Sequence, residues 1–280
     1  MKKELWKYFH NKGIIIAVLV GSIIAVVESV SSMCLPSDCV FGQELILLPN
    51  GKYCATANVR GISIFCNWLG VTTMNPGNSL YYFLLPIIAS LPIGVTIENE
   101  KKSNYYIHLK QRYGYRKVLI RKFLMGMLTG GIVVTLPLVF NFLINMTFLP
   151  VASANVISEV APITSDQVGS WLFYTHSFLF VIADLSIVFL WGCSMAALCI
   201  ASEYIISKKY ISIFVPLVIC MIFEFSSLYT AEDIKIEFSP MQLFHLATIR
   251  ANSIFIIFGE ILFFIIISFV ISMRKAKNEI

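Results

Sequence analysis

Four acidic residues, Glu28, Asp184, Glu224 and Glu260, stand inside long apolar runs. An ionisable group in a membrane span costs about 2.5–3.5 kcal/mol on insertion scales, so such a residue faces protein or a polar pathway, not lipid. Counting at about 1.5 Å per residue puts Glu28 and Glu224 roughly one turn below one membrane face. Glu260 falls roughly two turns below the same face, and Asp184 nearer the midplane. Two readings follow. One is an acidic vestibule for a cationic or amphipathic substrate. The other is hydrogen bonding between helices, or reach towards the headgroups.

Other reactive side chains are scattered. Cys34, Cys39, Cys54 and Cys66 fall in one polar segment, where four cysteines on an oxidising face allow two bridges in three pairings. They are the disulfide candidates, and free thiols are the alternative. Cys193, Cys199 and Cys220 lie in apolar runs and read as small apolar residues. His10, His108, His176 and His245 are far apart, so no metal site is expected. The chain has no phosphate-binding Gly-rich loop with its Lys-Ser/Thr. It also lacks a Gly-x-Ser-x-Gly elbow and a His-Glu-x-x-His pair. The expectation is a non-enzyme that binds no cofactor itself.

The elements that hold these residues are membrane helices. The chain is 58% hydrophobic and 13% charged, with mean hydropathy +0.79; soluble domains carry about 25% charge. Six stretches suit a bilayer core about 30 Å thick: 14–32, 80–96, 123–148, 172–201, 211–229 and 252–273. Seventeen of the 21 Lys and Arg fall in four clusters, around 2–12, 101–122, 208–209 and 274–277. Basic loops stay cytoplasmic, so an even number of crossings separates neighbouring clusters. That forces the 80–96 span, despite Pro86 and Pro92, and puts both termini inside. The net charge of +5 then suits an anionic inner leaflet or an acidic cytoplasmic partner rather than nucleic acid.

The expected fold is an all-α integral membrane protein with one transmembrane domain over 1–280. Met1–Lys12 and Gly13–Val27 have the layout of a signal peptide, with Ser31–Ser32 a poor cleavage site. The segment is read as retained, with residues 1–11 an interfacial helix bearing Trp6, Tyr8 and Phe9. Residues 33–79 form an outside cysteine-containing segment, and 149–171 and 230–251 are outside loops. Ser239–Phe244 is a capped apolar turn in the last of these. Gly126 with Gly130, and Gly192 with Ala196, have the spacing that lets helices approach closely.

The cytoplasmic segment 97–122 is distinctive. Acids Glu98 and Glu100 end a span, and Ser103 and Asn104 suit a cap. Tyr106, Leu109, Lys110 and Tyr113 then share one helical side before Gly114. Glu100, Lys101, the Tyr105–Leu109 stretch, Arg116 and Lys122 resemble the Glu turn, coupling helix, Arg and Lys of ABC-2 type transporter permeases, which have the type V ABC exporter fold. The six spans, N-terminal interfacial helix and outer helical turn before the last span resemble the family too. Two features depart from it: Ser103-Asn104 replaces the usual Gly-Thr, and 33–79 is long.

The resemblance implies a permease that dimerises with itself or a paralogue and docks a separate ATP-binding subunit. ATP and Mg would be bound by that partner. Glu98, Glu100, Lys101, Tyr105, Tyr106, Leu109 and Arg116 would form the coupling site, with Tyr105, Tyr106 and Leu109 as apolar anchors and Glu100 with Lys101 as polar rim. The expected protein is a multi-pass exporter of a hydrophobic or amphipathic substrate, such as a peptide or drug, in a cell membrane of bacterial plasma-membrane type. Alternatives are an immunity or sensor protein binding a ligand through its outside segment, and an ion-coupled secondary carrier.

Overall fold

The computed structural model describes residues 11–33, 43–47, 53–57, 63–71, 76–102, 112, 114–151, 163, 167–206, 210–230, 236–246 and 250–278. Six helices are long and apolar enough to cross a membrane, which makes this a multi-pass membrane protein. They are α1 (Lys12–Met33), α3 (Pro76–Lys102), α4 (Tyr115–Phe148), α6 (Ser177–Glu203), α7 (Ile211–Tyr229) and α9 (Ile254–Asn278). Among the described residues three short helices lie between them: α2 (Ile64–Asn67), α5 (Ser170–Thr175) and α8 (Pro240–Leu243). Beside this helical architecture stands one antiparallel hairpin, β1 (Gln43–Leu47) with β2 (Tyr53–Ala57), in register Gln43↔Ala57 through Leu47↔Tyr53.

Helices α3 and α6 form the centre. Of the α3 span window 67% is buried, against 28% for α7 and 22% for α9, which turn rows of Phe, Ile, Leu and Val outwards. The α4–α6 contact rests on small residues. A side chain at Gly192 would meet the Gly130 carbonyl oxygen and Gly131 Cα at 2.9 Å, so only glycine lets the backbones approach this closely.

Helix α3 is longer than the 80–96 expectation and runs unbroken through Pro86 and Pro92. A helix-interior proline frees one carbonyl and is tolerated where neighbours compensate. Asn11 Nδ2 donates to the Pro92 carbonyl at 3.1 Å and to Thr96 Oγ1 at 2.6 Å, tying the start of α1 to this stretch. Pro216 in α7 leaves the Ser212 carbonyl without its helical donor, and Ser202 Oγ of α6 donates to it at 3.2 Å. The expected 172–201 span is split, because α5 ends at Thr175 and His176 is non-helical (φ −140°, ψ 69°) before α6.

Residues 63–71, expected in the outside segment, are instead packed into the bundle. Ile64, Phe65, Trp68, Leu69 and Val71 are buried. Asn141 of α4 holds the segment: its Oδ1 accepts from Leu69 N at 2.8 Å, while its Nδ2 donates to the Ala25 carbonyl and Ser29 Oγ, both at 2.9 Å. Asn78 Nδ2 donates to the Leu69 carbonyl at 2.6 Å. Phe65 packs edge-on to Phe178 at 4.9 Å, and Trp68 to Phe142 at 5.4 Å.

The disulfide expectation is corrected at Cys66, which is a free thiol. It lies in α2, packed against the core cluster that immobilises Phe65 and Trp68. Burial pushes its thiol up to about 11. Cys34 and Cys39 lie outside the described residues, as does the side chain of Cys54. Residues 1–10, the expected interfacial helix, lie outside them as well.

Candidate functional site

Four spans carry an acid at similar depth. Glu28 lies five residues before the end of α1, and Glu224 five before the end of α7. Glu260 lies six residues past the start of α9, and Asp184 seven past the start of α6. These ends all point away from the basic clusters. At about 1.5 Å per residue the carboxyl groups form a layer roughly 7–11 Å below that face. Asp184 therefore belongs with the other three rather than at the midplane.

Their surroundings differ. Glu28 is 1% exposed, which excludes reach towards the headgroups, and its carboxyl packs against Gly77 in the first turn of α3. A Cβ at Gly77 would meet Glu28 Cβ at 3.1 Å. Glu224 accepts from Ser239 Oγ and from Gln242 Nε2 (2.9 Å), so α8 is clipped to α7. Glu260 has one carboxyl oxygen, Oε2, buried without a hydrogen-bond partner among the described residues.

The structure adds residues that the sequence reading missed. Glu237, in the expected outside loop, is buried. Its Oε1 accepts from Ser227 Oγ (2.7 Å), Phe238 N (3.1 Å) and Ser239 N (2.9 Å), and its Oε2 lies 3.7 Å from Arg250 Nη1. Arg250 also donates to Ser227 Oγ at 3.2 Å. This lattice pulls residues 236–246 and Arg250 onto the bundle. It seats Leu243 and Phe244 in the core and lays the His245 ring on Tyr82, centroids 5.0 Å apart.

Asp184 is fully buried, and neither carboxyl oxygen has a hydrogen-bond partner among the described residues. Tyr82 of α3 lies within electrostatic range of it. The Tyr82 hydroxyl and Trp191 Nε1 are likewise buried without hydrogen-bond partners among the described residues. A neutral aromatic carries no hydropathy penalty in a span, so Tyr82 gave no sequence signal. Its place on the buried face of α3 supplies one.

At the opposite, basic end, Glu100 and Lys122 form an ion pair at 2.8 Å, with side chains 4% and 6% exposed. Glu98, two residues earlier on α3, is buried as well, and Arg116 is exposed on the first turn of α4. Glu100 therefore closes an α3–α4 contact inside the chain rather than standing on an open rim. Gly114, at φ 76°, precedes α4 in a conformation that favours glycine. Tyr105, Tyr106 and Leu109 lie outside the described residues, as does the side chain of Lys101.

Comparison with protein-family models, curated proteins and solved structures found no match.

The two ends offer different chemistry. The acidic layer sets carboxyl groups and aromatic rings in a dry bundle, which favours cations and disfavours anions. The basic end presents cationic side chains around the α3–α4 contact that the Glu100–Lys122 pair braces. No group of His, Cys, Asp and Glu among the described residues is arranged to hold a metal.

Proposed function

We propose that this chain is the transmembrane permease subunit of an ABC-2 type exporter, driven by ATP hydrolysed on a separate cassette subunit. The observation that carries the reading is the buried Glu100–Lys122 pair. It joins the end of α3 to the first turns of α4, so residues 103–113 leave and re-enter one rigid base. A load-transmitting connector needs such a base, since force on a slack loop would not reach the helices. Both acids preceding the loop, Glu98 and Glu100, are buried.

In this reading the coupling segment seats Tyr105, Tyr106 and Leu109 in a groove of the ATP-binding subunit, with Lys101 and Arg116 at its edge. Closure of two cassettes moves two permease copies, a homodimer or a pair of paralogues. The substrate is hydrophobic or amphipathic, and the acidic layer lies on its exit side. ATP and Mg stay in the partner, so the chain itself performs no catalysis. Its place is a cell membrane, with basic ends and both termini in the cytoplasm.

Co-purification tests this. Interface energy concentrates in a few buried aromatics, so Tyr106→Ala should weaken cassette docking by about 1–3 kcal/mol without changing insertion. Full partner binding and transport by loop variants would make 103–113 a lipid-contacting connector and remove the assignment. The Gln43–Ala57 hairpin favours a second reading, a non-transporting sensor. Absence of any ATPase partner, with a ligand bound at the hairpin end, would select it.

A further inference from the structure

The proposal concerns Asp184. A buried carboxyl with neither oxygen hydrogen-bonded is rare in a packed protein and calls for a reason. Several other buried polar groups at this face are matched. Asn141 is satisfied on both sides of its amide, and Glu237 accepts from Ser227 Oγ and two backbone N–H groups. Asp184 has no hydrogen bond among the described residues, and packing that arranges so many other polar atoms has left it unmatched.

Three elements surround it. Helix α6 supplies Asp184 and, two turns on along the same buried face, Trp191. Helix α3 supplies Tyr82, which feels the Asp184 charge. The segment before α9 supplies Phe244, edge-on to Trp191 at 4.9 Å, and His245, edge-on to Tyr82 at 5.0 Å. The Tyr82 hydroxyl and Trp191 Nε1 share the unpartnered state of Asp184. A buried carboxyl group with aromatic rings in the same packed region is the chemistry that recognises an organic ammonium: the carboxylate neutralises the charge, and rings stabilise it by cation–π attraction where water is excluded. An inorganic cation would need several oxygen ligands, and the neighbouring groups are rings.

We infer that Asp184, Tyr82 and Trp191 form a binding site for an organic ammonium group carried on an apolar body. The inference rests on the transport reading and narrows its substrate class. Residues 236–246, tethered through Glu224 and Glu237, lie against Trp191 and Tyr82 through Phe244 and His245 and close the site on the side facing away from the basic end. Opening that segment would release the ligand on the exit side.

The test uses the full chain in phosphatidylcholine nanodiscs with no cassette subunit, so its failure is distinct from failure to dock a partner. Ethidium is the probe, read by fluorescence anisotropy against empty nanodiscs. Phenanthridine, flat and uncharged at pH 7.5, is the control. Wild type should bind ethidium saturably and phenanthridine at least 10-fold more weakly. Asp184→Asn, which keeps shape and removes the charge, should weaken ethidium at least 10-fold. Tyr82→Phe should weaken it several-fold and stands in if the Asn variant does not fold. Ser186→Ala, on the exposed face of α6, should change nothing. Absent saturable binding, equal affinity for the neutral ring, or unchanged affinity in folded Asp184→Asn or Tyr82→Phe would each overturn the inference.

Discussion

Adding one methyl group at Gly192 should force α4 and α6 apart. A Cβ there would lie 2.9 Å from the Gly130 carbonyl oxygen and 2.9 Å from Gly131 Cα, where ordinary contact begins at 3.4 Å. The obstruction is backbone on α4, so no side chain can swing aside, and the helices must separate by about half an ångström along their contact. Overpacking of this kind costs typically 1–3 kcal/mol. Replacing Gly by Ala in a helix returns about 0.5–1 kcal/mol of backbone entropy, so the expected net loss is about 1–2 kcal/mol. Gly259 on α9 is the control, because its Cβ would meet nothing within 4 Å. Gly259→Ala should be neutral or stabilising by about 0.5–1 kcal/mol. Unfolding in mixed micelles with rising dodecyl sulfate fraction, followed by tryptophan fluorescence, measures both. Equal shifts for the two variants, or a Gly192→Ala protein as stable as wild type, would refute the claim that backbone contact joins α4 to α6.

Lys122→Met should cost about 3–5 kcal/mol by stranding the buried Glu100 charge, whereas the double variant Lys122→Met/Glu100→Gln should recover most of it in the same unfolding assay; equal losses in single and double variants would show that the pair is not coupled. Cys66 should be alkylatable without reductant, and its rate, followed by peptide mass spectrometry, should still be climbing between pH 9 and 10. A thiol pushed up to about 11 is mostly protonated there, and only the thiolate reacts; a rate that levels off by pH 9 would contradict this. Single-cysteine variants at positions 2, 209 and 277 should require membrane permeabilisation for labelling, and those at 60 and 235 should not; reversal at 209 would remove the α6–α7 hairpin from the cytoplasmic side.

How much of this was legible in the sequence depends on range. The six spans follow from hydropathy, and the spacing of Gly130 and Gly192 marked a close approach that the structure places between α4 and α6. The extent of α3 was not legible. Pro86 and Pro92 look like helix breakers, and the Asn11 side chain that ties α1 to the Pro92 carbonyl lies 81 residues away. The apolar run in 63–71 is too short to distinguish a buried plug from a loop, and its partner Asn141 lies 72 residues from Leu69. Of the candidate site, the four acids were visible because charge in a span is costly. Tyr82 and Trp191 were invisible because aromatics there are common, and Glu237 and His245 because a loop gives no periodicity from which burial can be read.

The seating of residues 63–71 imposes an order on biogenesis. The Leu69 amide finds its acceptor on Asn141, 72 residues later in the chain. While the ribosome is still making α4, that amide, the buried rings of Phe65 and Trp68, and the carbonyl of Ala25 all lack their final companions. The segment therefore waits at the membrane face through two further insertion events, gains Asn141 only when the second half of α4 arrives, and gains Phe178, the edge-on neighbour of Phe65, only with α6. Until then the nascent chain displays an aromatic, hydrogen-bond-hungry stretch, which makes this the interval in which a membrane chaperone or quality-control protease has most to recognise.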